Sequence, residues 1–362
     1  MATELKEIDF PEIKELYSRF TAKKIIFILG SLGVLIALSL FATTLGTARL
    51  EVGEVARAIV AGIFPFTGIE TTHFADVVVW HLRLPRIVMG IVAGAGLAVS
   101  GAAMQGIMRN PLVSPFTIGV SSGAALGASL AIVLGFNLVG GGKAIVVTNA
   151  FIFGLLTAFL VYCLARMRGV TGETLVLAGI AVMYFASAAT SLLQYIATEE
   201  ELQAVVYWLF GSLTGAGWEN ILIVTVILFS CLPFLMRYSW DLNVMAAGGD
   251  EVATSLGVNA PRVRIITLIL ATLITAGIIC FTGIIGFVCL VAPHITRLLI
   301  GADHRFLLPC SCIFGAILLV GADTIGRTIA SPVIIPVGIV ISFIGVPFFV
   351  FLLMTRRKEY FS

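Results

Sequence analysis

The stretch YSWDLNVMAAGGDEVATSLGVNAPRVR, residues 238–264, is the longest polar interruption in the second half of an otherwise apolar chain. It carries the pattern of a short helix with both ends marked, because Asp250 can cap a first turn and Gly257 supplies a left-handed residue after the last. Between them, Val252, Ala253 and Leu256 fall on one helical face. A helix of about two turns is not stable alone in water, so it needs a partner surface.

Two interpretations of this loop helix remain open. Apolar segments and the basic residues Arg237, Arg262 and Arg264 flank it, which predicts that the loop over residues 238–262 lies on the cytoplasmic side of a membrane. In one interpretation a soluble partner pushes on the helix there. In the other the helix rests on its own membrane domain, as many amphipathic loop helices do.

The composition indicates a polytopic membrane protein. Mean hydropathy is +1.09, and 59% of the residues are hydrophobic while 12% are charged, against roughly 25% charged residues in soluble domains. A net charge of +2 does not favour nucleic-acid binding. The six cysteines lie in or beside apolar segments without a CxxC pattern, so no metal site is predicted.

The order of apolar segments predicts an all-α fold with about ten transmembrane helices. A charged, amphipathic leader over residues 1–24 is expected to lie on the cytoplasmic membrane surface, and residues 25–362 to form one membrane domain. The predicted spans are residues 25–45, 85–107, 113–136, 144–165, 175–197, 219–236, 263–282, 284–299, 306–323 and 337–354.

Charge asymmetry predicts that both termini of this multi-pass membrane protein are cytoplasmic. With that orientation, most of the 22 Lys and Arg residues fall inside. The exceptions on the outer side are Arg49, Arg57, Arg83, Arg86, Lys143 and Arg327.

Glycine and alanine recur at close spacing in the second and third spans. Gly94, Gly101 and Gly123 belong to this pattern, which is typical of helices packed backbone to backbone in lipid. The alternative is that these faces line a wide path for a bulky solute.

No catalytic or nucleotide site is predicted. Gly119–Gly123 fits G-x-S-x-G but lies in an apolar helix, and Gly140–Lys143 lacks the full phosphate-loop pattern. An ion-coupled secondary transporter is the main alternative class. Such carriers usually keep ionisable groups near the bilayer centre, whereas His294 is the only histidine within a predicted span and Asp323 falls at a span end.

Several runs resemble the permease subunits of ATP-binding-cassette (ABC) importers for ferric siderophores, haem and cobalamin. R-N-P-L followed by A-P-H, and P-V-G followed by G-x-P-F-F, are specific in combination. The resembling runs are residues 82–128, 171–182, 208–218, 256–264, 283–305 and 326–353.

The resemblance implies the fold of the cobalamin permease (BtuC-like). It also implies a homodimer in the prokaryotic inner membrane, in contact with lipid, two ATPase subunits and one substrate-binding protein. ATP and magnesium would be bound by the ATPase, and no cofactor by this chain. The transported solute would be a metal chelate such as a ferric siderophore, haem or cobalamin, and an oxyanion such as molybdate is the alternative that the sequence leaves open.

The family's functional residues can be placed on matching positions. Docking of the binding protein is expected at Arg83, Arg86 and Arg327, since a guanidinium can hold an acidic side chain in two hydrogen bonds. The alternative for these arginines is snorkelling at the membrane interface. ATPase coupling is expected at Gly248, Gly249, Asp250, Val252, Ala253, Leu256 and Gly257. The cytoplasmic gate is expected at Asn110, Pro111, Leu112, Gly172 and Glu173.

Overall fold

The computed structural model describes residues 10–46, 48, 50–138 and 144–355, and over these residues the chain is all-α, as predicted. Arg49, Lys143 and the start of the predicted leader lie outside them. The helices are α1 Phe10–Thr44, α2 Val52–Ile63, α3 His73–Asp76, α4 Leu84–Met108, α5 Val120–Leu134, α6 Ala144–Arg166, α7 Gly172–Ile196, α8 Glu199–Phe210, α9 Trp218–Arg237, α10 Ser239–Ser255, α11 Ala260–Thr282, α12 Val288–Ile300, α13 His304–Thr328 and α14 Val337–Thr355.

Ten of these helices correspond to the ten predicted spans. In the described part of the chain, seven helices are long and apolar enough to cross a membrane, and α5, α12 and α14 supply three shorter apolar ones. The remaining helices, including α2, α8 and α10, fall in segments that were predicted to lie between spans.

The helix that contains the first span begins earlier than predicted. It is one continuous helix from Phe10 to Thr44, so residues 10–24 of the predicted leader join the first span without a break in the helix. The predicted boundary at residue 24 has no helix-breaking residue, since Ala22, Lys23 and Lys24 all favour helix.

The third and eighth spans begin later than predicted, at Val120 and Val288. Each helix starts after a residue with positive φ, Gly119 at 88° and Phe287 at 62°, which interrupts the helical backbone. Irregular backbone at membrane depth is tolerated only where protein covers it. The turn before α12 meets this condition, since Thr282 O accepts a hydrogen bond from Ser212 N at 2.7 Å.

Helix α4 forms the centre of the bundle. The apolar part of the helical run His73–Met108, which contains α4, is 83% buried, whereas the apolar part of α1 is 17% buried. A π-helical stretch, Val77–Arg83, joins α3 to α4, so the helical run extends from His73 to Met108. Helix α4 is about 37 Å long at 1.5 Å per residue, and its two ends therefore reach opposite ends of the bundle.

The small residues of α4 and α5 serve helix packing, which favours the first interpretation of the pattern. A β-carbon on Gly94 would collide with the backbone of Gly315 in α13, and one on Gly123 would collide with Thr157 in α6. Gly101 lies against α12, where an added β-carbon would stand 2.6 Å from the carbonyl carbon of Cys289. These helices approach one another closely because glycine has no side chain to separate their backbones.

We expect Gly101→Ala to destabilise the folded permease. The obstacle is a backbone carbonyl in α12, which cannot move aside as a side chain can, so the cost should be about 1–3 kcal/mol or more. Gly30→Ala in α1 is the matched control, since nothing lies within 4 Å of its added β-carbon. Thermal unfolding of both variants in detergent measures the difference, and equal melting temperatures would contradict this packing.

Candidate functional site

The predicted coupling residues lie in the second half of α10, Ser239–Ser255, and in the two residues that follow it. Gly249 adopts φ 74° and ψ −172°, which divides α10 into two short helices. Gly257 adopts φ 83°, which confirms the left-handed residue expected after the second helix. We call residues 248–257 the coupling segment.

The apolar face of the coupling segment is divided differently from the prediction. Ala253 is fully buried against the bundle, whereas Val252 and Leu256 are 45% and 66% exposed. The three residues therefore do not share one surface: Ala253 attaches the helix to its own chain, and the other two present an apolar patch outward. The helix therefore rests on its own membrane domain through Ala253 and also presents a surface that a soluble partner could contact.

Asp250 does not cap the helix as predicted. Its carboxylate accepts hydrogen bonds from the Arg264 guanidinium, 2.8 Å from Oδ1 to Nη2 and 3.1 Å from Oδ2 to Nη1. Arg264 is 3% exposed, so the cation lies inside the bundle while the Asp250 side chain remains 43% exposed.

Arg264 also binds two backbone carbonyls. Its Nε donates to Ile107 O at 3.2 Å, and its Nη1 donates to Val170 O at 2.9 Å. Ile107 lies in the last turn of α4, where carbonyls lack an intrahelical partner and the helix dipole favours a cation. Val170 directly precedes Thr171, the N-cap of α7. One side chain of α11 thus connects α4, α7 and the coupling segment.

A cleft of about 600 Å³ opens at this end of the bundle. It is lined by residues of α4, α7, α10 and α11, including Arg109, Gly172, Glu173, Asp250 and Arg264. Two of the predicted gate residues, Gly172 and Glu173, therefore lie beside the coupling segment. We call this end of the molecule the coupling end.

The other predicted gate residues do not line this cleft. Asn110, Pro111 and Leu112 follow α4 in a turn in which Asn110 Oδ1 accepts a hydrogen bond from Leu112 N at 2.9 Å. Leu112 is 59% exposed. Gly172 nevertheless approaches α4 closely, because a β-carbon there would lie 3.3 Å from Met108 O.

The first half of α10 is anchored to the start of α13. Asn243 Nδ2 donates to Asp303 Oδ1 at 2.8 Å, and Asn243 Oδ1 accepts from the His304 backbone N at 2.7 Å. Burial would raise the pKa of Asp303, but hydrogen bonds from Arg305 and Asn243 and the charge of Arg305 lower it to about 2. Asp303 therefore stays ionised at physiological pH, and the stability it contributes is lost only as the pH falls towards about 2.

The three predicted docking arginines lie at the opposite end of the bundle, which we call the far end. Their side chains are almost fully buried in the isolated chain: Arg83, Arg86 and Arg327 are 4%, 6% and 5% exposed. They are also not snorkelling residues, because each binds other groups of the same chain.

Arg86 and Arg327 share one carboxylate. Arg86 Nε lies 2.8 and 3.0 Å from the two oxygens of Asp323, and Arg327 Nε lies 3.0 Å from Oδ2. Asp323, which the sequence placed at an unremarkable span end, is thus the counter-ion of two buried cations and connects α4 to α13.

Arg83 and Arg327 also cap the end of α1. Arg83 Nη1 donates to Thr43 O at 2.7 Å and to Thr44 O at 3.1 Å. Arg327 donates to Leu45 O at 3.1 Å and to Ala42 O at 3.3 Å. These are carbonyls of the last turn of α1 and of the residue that follows it, where cations are favourable. The arginines therefore hold the first span against α4 and α13.

A smaller cleft of about 170 Å³ opens beside these arginines and is lined by all three of them together with Thr214. Thr214 Oγ1 accepts from Arg86 Nη1 at 3.2 Å. The arginines thus border an accessible space even though their guanidinium groups are bonded internally.

Sequence reasoning missed Arg264 and Asp323. Both were treated only as charges near span ends, and each has a partner far away along the chain: Ile107 is 157 positions from Arg264, and Arg86 is 237 positions from Asp323. The signal in the sequence that could have found them was an ionic side chain beside apolar residues of a span, since such a side chain usually pairs with another group of the protein.

Comparison with known proteins gives one consistent result. The sequence profile of the FecCD transport family matches residues 34–355. A protein of Methanocaldococcus jannaschii described as an ABC transporter permease is 42% identical over 96% of this chain and 99% of its own. The cobalamin import system permease protein of Halobacterium salinarum is 43% identical over 78% of this chain and 75% of its own.

A solved structure agrees with these relatives. It is described as an inward-facing conformation of a metal-chelate type ABC transporter, with a TM-score of 0.79 and 33% identity over 91% of this chain and 99% of that one. The profile match covers all ten spans except the start of the first. The chain therefore belongs to the FecCD transport family and is a membrane permease of the ABC importer class.

Proposed function

We propose that the chain is the permease through which an ABC importer moves a metal chelate into the cytoplasm. The permease would act as a homodimer with two ATPase subunits at the coupling end and one substrate-binding protein at the far end. The observation that carries this proposal is the exposed pair Val252 and Leu256 on a helix attached to the ends of α4 and α7. An exposed apolar pair on a docked helix is what a soluble partner can bind and move.

Family membership decides against the ion-coupled carrier. The polar contacts of the spans agree with this: Asp323 pairs with both Arg86 and Arg327 at the far end, and Gln105 accepts from Arg297 Nη2 at 2.9 Å. Energy for transport would then come from ATP hydrolysis in the partner subunit, and this chain would carry no nucleotide site.

The proposed solute is a ferric siderophore, haem or cobalamin. Relatives are named for cobalamin, haem and Fe(3+)-citrate, and one from Haemophilus influenzae is named for molybdate. The chelates form the largest group among these names, which supports a chelate over an oxyanion.

We expect a chelate-loaded binding protein to stimulate the ATPase of the reconstituted importer. Purified permease, ATPase and binding protein are combined in liposomes, and the ligand retained by the binding protein is identified by absorbance and mass spectrometry. Hydrolysis should rise with ferric siderophore, haem or cobalamin and stay at its basal rate with molybdate. Stimulation by molybdate alone would replace the chelate with an oxyanion.

We also expect the coupling end to be cytoplasmic. Single cysteines at Arg168 and Thr254 should resist an impermeant thiol reagent in intact cells, while one at Phe66, which is 83% exposed beyond the far end, should react. Both positions at the coupling end should become reactive once the membrane is opened. Labelling of Thr254→Cys from outside would contradict a cytoplasmic coupling end.

A further inference from the structure

We infer that the Asp250–Arg264 ion pair is the linkage through which movement of the coupling segment reaches the ends of α4 and α7. This inference rests on the proposed function, because it takes the coupling segment as the part that an ATPase displaces. Arg264 is a positioning residue in this role and touches neither solute nor nucleotide.

The coupling segment is joined to the rest of the chain in few places. Gly249 and Gly257, both with positive φ, bound its second helix, so residues 250–256 form a rigid unit between two points of conformational freedom. Within this helix, among the described residues, the Asp250 carboxylate makes the only side-chain hydrogen bonds to residues outside the segment. Ala253 adds apolar contact.

Arg264 is suited to transmit a displacement because its guanidinium is almost fully engaged. It makes four hydrogen bonds, two to Asp250, one to Ile107 O and one to Val170 O, from the five N–H groups that an arginine carries. A shift of Asp250 must therefore either move the guanidinium or break bonds of a buried cation. Either event changes the support of the α4 and α7 ends.

A displacement of the α4 and α7 ends reaches the transport path because both helices are rigid. Helix α4 runs from the coupling end to Arg86 at the far end, and α7 begins with Gly172 and Glu173, which line the cleft beside Asp250. Coupling between distant sites can be carried by a chain of bonded and packed groups and rigid helices. The ion pair completes that chain from the coupling segment to both helices.

The test compares Arg264→Gln, Asp250→Asn and the double variant in the complete importer in liposomes. The matched control is Arg262→Gln, an exposed arginine two residues earlier in the same helix. ATPase co-purification, ATP hydrolysis and solute uptake are measured for each. We expect both single variants to keep the ATPase bound and hydrolysing while uptake per ATP falls by about tenfold or more, within the range of typical coupling effects.

The double variant distinguishes a linked pair from two separate contributions. Because each single change breaks the same contact, the double variant should be no worse than the more severe single variant. Multiplied defects would overturn the linkage, and so would normal uptake per ATP in Arg264→Gln. Should Arg264→Gln fail to fold, Asp250→Asn decides alone, since that side chain is 43% exposed.

A second readout separates lost coupling from general damage. A cysteine at the exposed residue Leu112 reports the state of the turn after α4, and its labelling rate should change when nucleotide is added to the otherwise unaltered importer. In Arg264→Gln that change should vanish while the ATPase stays bound. A normal nucleotide response would overturn the linkage.

The Val252→Asp/Leu256→Asp variant shows which proposal has failed. If that variant still binds the ATPase and imports solute, the proposed function fails and the linkage with it. If that variant loses the ATPase while Arg264→Gln couples normally, the linkage alone is wrong.

Discussion

Replacing Val252 and Leu256 together with aspartate is expected to separate the permease from its ATPase and abolish uptake. Both side chains are already exposed in the isolated chain, at 45% and 66%, so the change should cost the permease fold little. Burying the pair against a partner would contribute about 3–5 kcal/mol. Its loss should weaken subunit association by roughly two to four orders of magnitude.

Co-purification of the ATPase with tagged permease measures this effect directly. Thr254→Asp is the control, because it adds one aspartate to an exposed position on the opposite side of the same short helix. The control should retain the ATPase. Survival of uptake in the double variant, together with sensitivity to collapse of the proton gradient, would contradict ATP-driven transport through this segment.

Replacing Asp323 with alanine is expected to destabilise the far end more than any other single change to a carboxylate there. The side chains of Arg86 and Arg327 that it neutralises are 8% and 6% exposed, and their charges would remain buried without a counter-ion. Removing one partner from a buried ionic group typically costs about 3–5 kcal/mol. The end of α1 should loosen as well, since Arg327 also binds its carbonyls.

Thermal unfolding of the purified permease measures the loss, with Glu219→Ala as the control, an exposed carboxylate at the start of α9. An apolar triple variant, Arg86→Met with Asp323→Leu and Arg327→Met, should recover stability, because a buried ionic group can be exchanged for apolar residues of similar size. Equal melting temperatures of Asp323→Ala and Glu219→Ala would contradict the structural role of the carboxylate.

The same triple variant tests the docking expectation separately from stability. If the arginines receive acidic groups of a binding protein, the stable triple variant should bind it more weakly, and the remaining affinity should respond less to salt than that of the natural chain. Unchanged affinity would confine these arginines to holding α1, α4 and α13 together.

The sequence alone determined the features that depend on local composition. Apolar segments of sufficient length predicted ten membrane helices, because lipid leaves the backbone no partners outside a helix. Glycine at position 257 predicted a left-handed helix end, because its φ of 83° is unfavourable for residues with a β-carbon. Specific motif combinations predicted the family, which the profile match over residues 34–355 confirms.

Only the tertiary structure decided where the ionic residues go. A charge near a span end has the same local pattern whether it faces water, lipid or a partner from another helix. Docking was therefore predicted at Arg83, Arg86 and Arg327, whereas packing of α1, α4 and α13 buries Arg86 and Arg327 around Asp323. The same packing places Arg83 against the carbonyls at the end of α1. Likewise, the sequence assigned Asp250 to its own helix end, and the fold pairs it with Arg264, because burying that cation requires a counter-ion and the chain brings one within 2.8 Å.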